Sequence, residues 1–81
     1  MSFKVIKSKA EGPKDEPVIL SSEVIDSNSD FVDASDAMYY EVLGFKKAGC
    51  QAVETKEGWS RRAVIVDGSD RVQYVIDLIE E

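Results

Sequence analysis

The chain contains no histidine and only one cysteine, Cys50, in 81 residues. The first absence removes imidazole acid/base chemistry and histidine-based triads. Together the two remove the usual zinc sites and any disulfide within the chain. Long apolar runs are missing as well: the longest, such as Ala63 to Val66, are four or five residues, far short of the ~20 needed to cross a bilayer. The N-terminal stretch Phe3-Lys4-Val5-Ile6-Lys7-Ser8-Lys9 carries charge throughout and does not read as a secretory leader. A lone thiol suits a reducing compartment, so the expected location is the cytoplasm of the producing cell.

Basic residues are absent from one stretch. Residues 21 to 45 hold Glu23, Asp26, Asp30, Asp33, Asp36 and Glu41 with neither lysine nor arginine, and the flanks are nearly neutral, so the whole formal charge of −6 resides there. A field of one sign repels nucleic acid and anionic membranes and favours basic partners, cations or a solvated face. The remaining composition, 43% hydrophobic and 32% charged, is that of one globular domain. A domain this small buries only about 60–65% of the surface its unfolded chain exposes. Its core is therefore marginal, and a partner or a second copy would add cover.

The apolar pattern predicts an α+β fold with the order ββαββα. Phe3 to Lys9 reads as a strand whose lysines would discourage edge-to-edge pairing. Residues 10 to 17, with Gly12, Pro13 and Pro17, form a loop, and the β-branched run Val18 to Ile25 pairs back across it with Ser21, Ser22 and Glu23 facing water. An acidic turn and helix follow over 26 to 43. In the helix Phe31, Ala34, Met38 and Val42 recur at helical spacing, Asp30 or Asp33 caps the start, and Gly44 supplies the left-handed residue at the end. A strand is the alternative there, since Tyr39-Tyr40-Glu41-Val42 also suits a sheet.

Residues 50 to 67 predict a hairpin turning at Lys56-Glu57-Gly58. Ser69 would then cap a C-terminal helix over 69 to 80, because Val72, Val75, Ile76 and Ile79 fall at i, i+3, i+4 and i+7. The expected architecture is a single domain, 1–81, with an antiparallel sheet of about four strands and two amphipathic helices on one face. The strand-strand-helix order would occur twice.

Each candidate site has a plainer alternative. Asp26-Ser27-Asn28-Ser29-Asp30 alternates oxygens like the start of a calcium loop, but Phe31 and Ala37 stand where such a loop needs glycine and glutamate. An acidic, helix-capping turn is the better reading. Val66-Asp67-Gly68-Ser69-Asp70 has the strand-glycine-helix order that can hold phosphate, yet its two aspartates oppose an anion and suit a cap instead. Cys50, near Lys46 and Lys47, has no base or resolving thiol, so it reads as a small core residue. Asp33 with Asp36 lacks the polar surroundings that acid/base work needs. Lys7, Lys9, Arg61 and Arg62 beside Trp59 resemble a small nucleic-acid face, against which stands an isoelectric point near 4.6.

No cofactor, metal or catalytic residue is expected, and the chain reads as non-enzymatic. The favoured function is a small acidic protein-binding module, accessory or regulatory, self-association included. Its candidate binding residues are the acids Glu23, Asp26, Asp30, Asp33, Asp36 and Glu41 and the aromatics Tyr39, Tyr40 and Trp59, types enriched at interface centres. The alternative is a nucleic-acid-mimicking inhibitor of the phage or mobile-element type, its acidic face blocking a DNA- or RNA-binding protein. Either reading expects another protein as partner, a basic or nucleic-acid-binding one for the mimic, rather than membrane or nucleic acid itself.

Overall fold

The computed structural model describes residues 1–81 and contains five strands and one helix. In chain order these are β1 (Phe3–Glu11), β2 (Val18–Asn28), α1 (Phe31–Lys47), β3 (Gln51–Glu57), β4 (Ser60–Val66) and β5 (Val72–Glu80). All five strands form one antiparallel sheet in the order β2-β1-β5-β4-β3. The order is ββαβββ, and this corrects the expected four strands, two helices and repeated strand-strand-helix unit.

The second helix fails for a reason visible in its own residues. Val72-Gln73-Tyr74-Val75-Ile76-Asp77-Leu78-Ile79 carries apolar side chains on both alternating faces. A strand buried on both sides has that near-continuous pattern, which satisfies a helical template as readily as a strand one. Pairing decides: β5 sits centrally, bonded to β1 on one side and β4 on the other. Ser69 caps nothing. Asp67 organises the β4–β5 turn instead, its Oδ1 accepting the N–H groups of Ser69 (2.8 Å) and Arg71 (3.1 Å) and its Oδ2 accepting from Gln73 Nε2 (2.9 Å).

The helix between β2 and β3 is present, and the strand alternative is not. Asp30, in extended conformation, accepts the Val32 N–H at 2.8 Å and so caps the first turn. Gly44 does not end the helix, which runs on to Lys47. Gly49 is the left-handed residue (φ +97), with Gly49 N–H donating to Lys46 O and Cys50 N–H to Phe45 O, the paired bonds of a Schellman ending. Cys50 and Phe45 both pack against the core there, so the thiol has a structural post at the helix end just ahead of β3.

Smaller boundaries also shift. β1 extends to Glu11, which narrows the first loop to 12–17, and β2 takes in Asp26 to Asn28 from the expected acidic turn. The expected hairpin forms, but Glu57 pairs with Ser60, leaving Gly58 (φ +58) and Trp59 as a two-residue turn. Positive φ at the first central position alone is the pattern of a type II′ turn.

α1 lies across one face of the sheet, where Ala34, Met38 and Val42 bury against Phe3, Val5, Ala63, Ile65, Ile76 and Leu78. Alternation sends Ala10, Val64 and Val75 to the opposite face, where they form a second cluster with Val66 and Val72. No helix covers that face. Arg62 spans it to its cross-strand neighbour Asp77 through two hydrogen bonds of 2.7 and 3.2 Å, and Ser8 and Ser22 share a hydroxyl bond of 2.8 Å. No helix is long and apolar enough to cross a membrane.

Candidate protein-binding surface

One ion pair orients the acidic segment. Glu41 on α1 meets Lys7 on β1 at 2.9 Å, and the Lys7 ammonium lies over the rings of Phe45 (5.2 Å) and Tyr74 (5.0 Å). The hydrogen bond to Glu41 raises the Lys7 pKa above its ordinary value, helped by the charges of Glu41, Tyr74 and Glu23 and opposed by burial. Asp33, Ala37 and Glu41 stand at i, i+4 and i+8, so Asp33 shares the flank of α1 that faces β1 and β2. Asp36 and Tyr40, also four apart, lie one step outward from that flank.

Strand register adds the other half of the surface. Lys7 pairs with Glu23 and Val5 with Asp26, which places both acids on the helix side of β2, the outermost strand. The acids of β2 and of the α1 flank therefore run together as one band along the β2 side of the molecule. Of the six, only Glu41 forms an ion pair. Asp30 spends an oxygen on the helix cap, and Asp26 turns inward, its Oδ2 buried without a hydrogen-bond partner. Glu23, Asp33 and Asp36 are exposed and unpaired. No three metal-ligating side chains group closely enough to hold a metal ion. The acids are spaced charges, and the Asn28 Oδ1 of the calcium-like turn accepts the Asp30 N–H at 2.9 Å.

The three aromatic candidates separate into two places. Tyr39 and Tyr40 touch edge to face at 5.5 Å on the outward side of α1 and are 58% and 69% exposed. Tyr40 lies beside the acidic band. Tyr39 lies toward β3 and β4, on the side of Glu54 and Arg61. Trp59 packs from the β3–β4 turn onto Phe31 (4.9 Å) and Phe3 (6.1 Å). It closes the end of the core while remaining 49% exposed. From Phe31 to Tyr39 the helix advances about 12 Å at 1.5 Å per residue, so Trp59 and the tyrosines are distinct features.

The basic residues near Trp59 do not converge. β1 and β4 are separated by β5, and Lys7 is occupied by Glu41. Arg61 lies over the Phe31 ring at 5.2 Å and donates to the carbonyls of Gly58 and Ser60. Arg62 projects to the other face. The phosphate-like segment after β4 enters a strand, so no helix N-terminus points at it.

Sequence reasoning missed Lys7 and Asp67 as organising groups. Asp67 stood between a strand pattern and a glycine, a usual place for a turn-forming carboxylate, whereas the Lys7–Glu41 pair joins residues far apart in sequence and left no local signal. No family model, curated protein or solved structure matches the chain, and the functional reading rests on these residues alone.

Proposed function

We propose that this protein is a non-enzymatic binding module that docks on a basic surface of another protein through the band formed by β2 and the outward flank of α1. The observation that carries this reading is the charge left unpaired. Glu23, Asp33 and Asp36 are exposed and form no ion pair, on rigid elements near Tyr40. Exposed like charges repel one another and add nothing to the stability of the free domain. A basic partner relieves that repulsion and speeds encounter, and Tyr40 provides low-entropy aromatic contact beside the band. The same argument disfavours a symmetric dimer through this face, which would set two acidic bands against each other.

A second reading, a nucleic-acid mimic that blocks a DNA- or RNA-binding protein, draws on the same band and on the fact that its carboxylates are spaced rather than clustered. Capture of partners on the immobilised full chain from the producing cell, at low and high salt, tests the general reading. Capture should fall steeply with salt. Duplex DNA added as a competitor then separates the two: release of the partner favours mimicry, and retention favours an ordinary protein interface.

A further inference from the structure

The two edges of the sheet are finished differently. β3, at one edge, is seven residues long and carries Glu54, Lys56 and Glu57, the short charged build that blocks further pairing. β2, at the other, is eleven residues long and contains no lysine or arginine. Val18, Ile19, Leu20 and Val24 on it are exposed. The lysines expected to guard an edge are on β1, which is interior and already paired on both sides.

Protection on β2 comes instead from bulges. Its pairing with β1 slips between Val5 and Ile6 and between Lys9 and Ala10, which leaves Ile25 and Leu20 as the extra residues. Between them Ser21, Ser22, Glu23 and Val24 run in regular register, with their outer backbone groups unpaired within the sheet. Ser21 and Glu23 are on the helix side, Ser22 and Val24 on the open side next to Ile6.

We propose that this stretch of β2 accepts a short extended segment of the partner protein as a sixth strand, with basic side chains on the helix side and apolar ones on the open side. This rests on the protein-binding reading above and gives it a mode. Backbone bonds to Ser21–Val24 hold the segment, and alternate side chains select it. On the helix side a lysine or arginine faces Glu23, with Asp33 on the adjoining helix flank and Asp36 one step outward from it. On the open side an aliphatic residue covers Val24 and the exposed Ile19. The bulges limit the added strand to about four residues. Charge complementarity chooses the occupant: a second copy would bring another Glu23 and Asp26 with no cation on its β2, and like charges across strands are unfavourable.

The probe is a ten-residue peptide alternating lysine and valine, titrated at low ionic strength into the isotopically labelled full chain and followed by amide shifts and hydrogen exchange. The proposal expects shifts centred on Ser21–Val24 and at least about tenfold slower exchange of their outward amides at saturation. Val24→Lys, an exposed change, should weaken the peptide at least tenfold, as should N-methylation of every peptide residue or rearrangement into a block of lysines followed by a block of valines. Equal binding by the N-methylated or block peptide overturns strand addition, as does the absence of binding. Shifts confined to Tyr39 and Tyr40 overturn it while leaving the protein-binding reading standing. Shifts at β2 that depend on protein concentration without peptide overturn it in favour of self-pairing.

Discussion

Two glycines near the end of α1 show how much a single backbone angle decides. Gly44 lies inside the helix with open space where a Cβ would stand, and Gly49 has equally open space but a φ of +97. Gly44→Ala should raise the stability by about 1 kcal/mol through helix propensity. Gly49→Ala should lower it by about 1–2 kcal/mol, since an L side chain resists that backbone conformation. Urea unfolding midpoints of the two variants check this, and the opposite order would place the helix end at Gly44. Asp67 provides a second test. The backbone N–H groups of Arg71 and Ser69, with Gln73, hold its carboxyl below the ordinary value. A carboxyl with a depressed folded pKa adds stability above its unfolded pKa and loses it as pH falls through the folded one. The gap between wild type and Asp67→Asn should therefore be constant above about pH 5 and close below about pH 4. A gap unchanged at pH 2 would contradict that role.

The elements differ in how openly they declare themselves. β5 is bonded on both sides, so its amides should exchange near the global unfolding rate, and Leu78→Ala should cost about 3 kcal/mol by leaving a cavity under α1. Helical Cα shifts over residues 72–80, or fast exchange there, would refute this placement. α1 is legible in the sequence because Ala34, Met38 and Val42 repeat at the helical period on its one buried side, and the two hairpins because Gly12 with its flanking prolines and Gly58 mark turns between β-forming runs. β5 was not legible, because Val75 serves one face and Ile76 and Leu78 the other, and only pairing partners distant in sequence separate strand from helix. Two glycines five residues apart, Gly44 and Gly49, both suit a helix end by residue type, and only the backbone angle at Gly49 distinguishes them. Composition alone singles out the acids and tyrosines, but the placement of Asp26 on the helix side with Glu23 needs the bulge at Ile25.

At the scale of the molecule, a five-stranded sheet with one helix has no helix on its second face, although Val64, Val66 and Val75 there are buried, and carries one negatively charged flank. Half of the domain's ten cations are held in ion pairs, four of them away from this flank, Lys4 to Glu81, Lys14 to Asp70, Lys46 to Glu54 and Arg62 to Asp77, and one, Lys7, with Glu41. On the β2 and α1 flank only Glu41 is held in an ion pair, so most of the negative charge of residues 21 to 45 stands unpaired there, and binding through it must be steered by charge. Replacing Glu23, Asp33 and Asp36 by their amides leaves the core, the helix cap and the Lys7–Glu41 pair untouched, so the fold should survive with a stability change within about 0.5 kcal/mol. The direct measurement is the amount of partner captured by wild type and by E23Q/D33N/D36N under the same low-salt conditions. At least a tenfold loss, with unfolding midpoint preserved, is the expected result. Equal capture by the two proteins would contradict the acidic band as the binding surface.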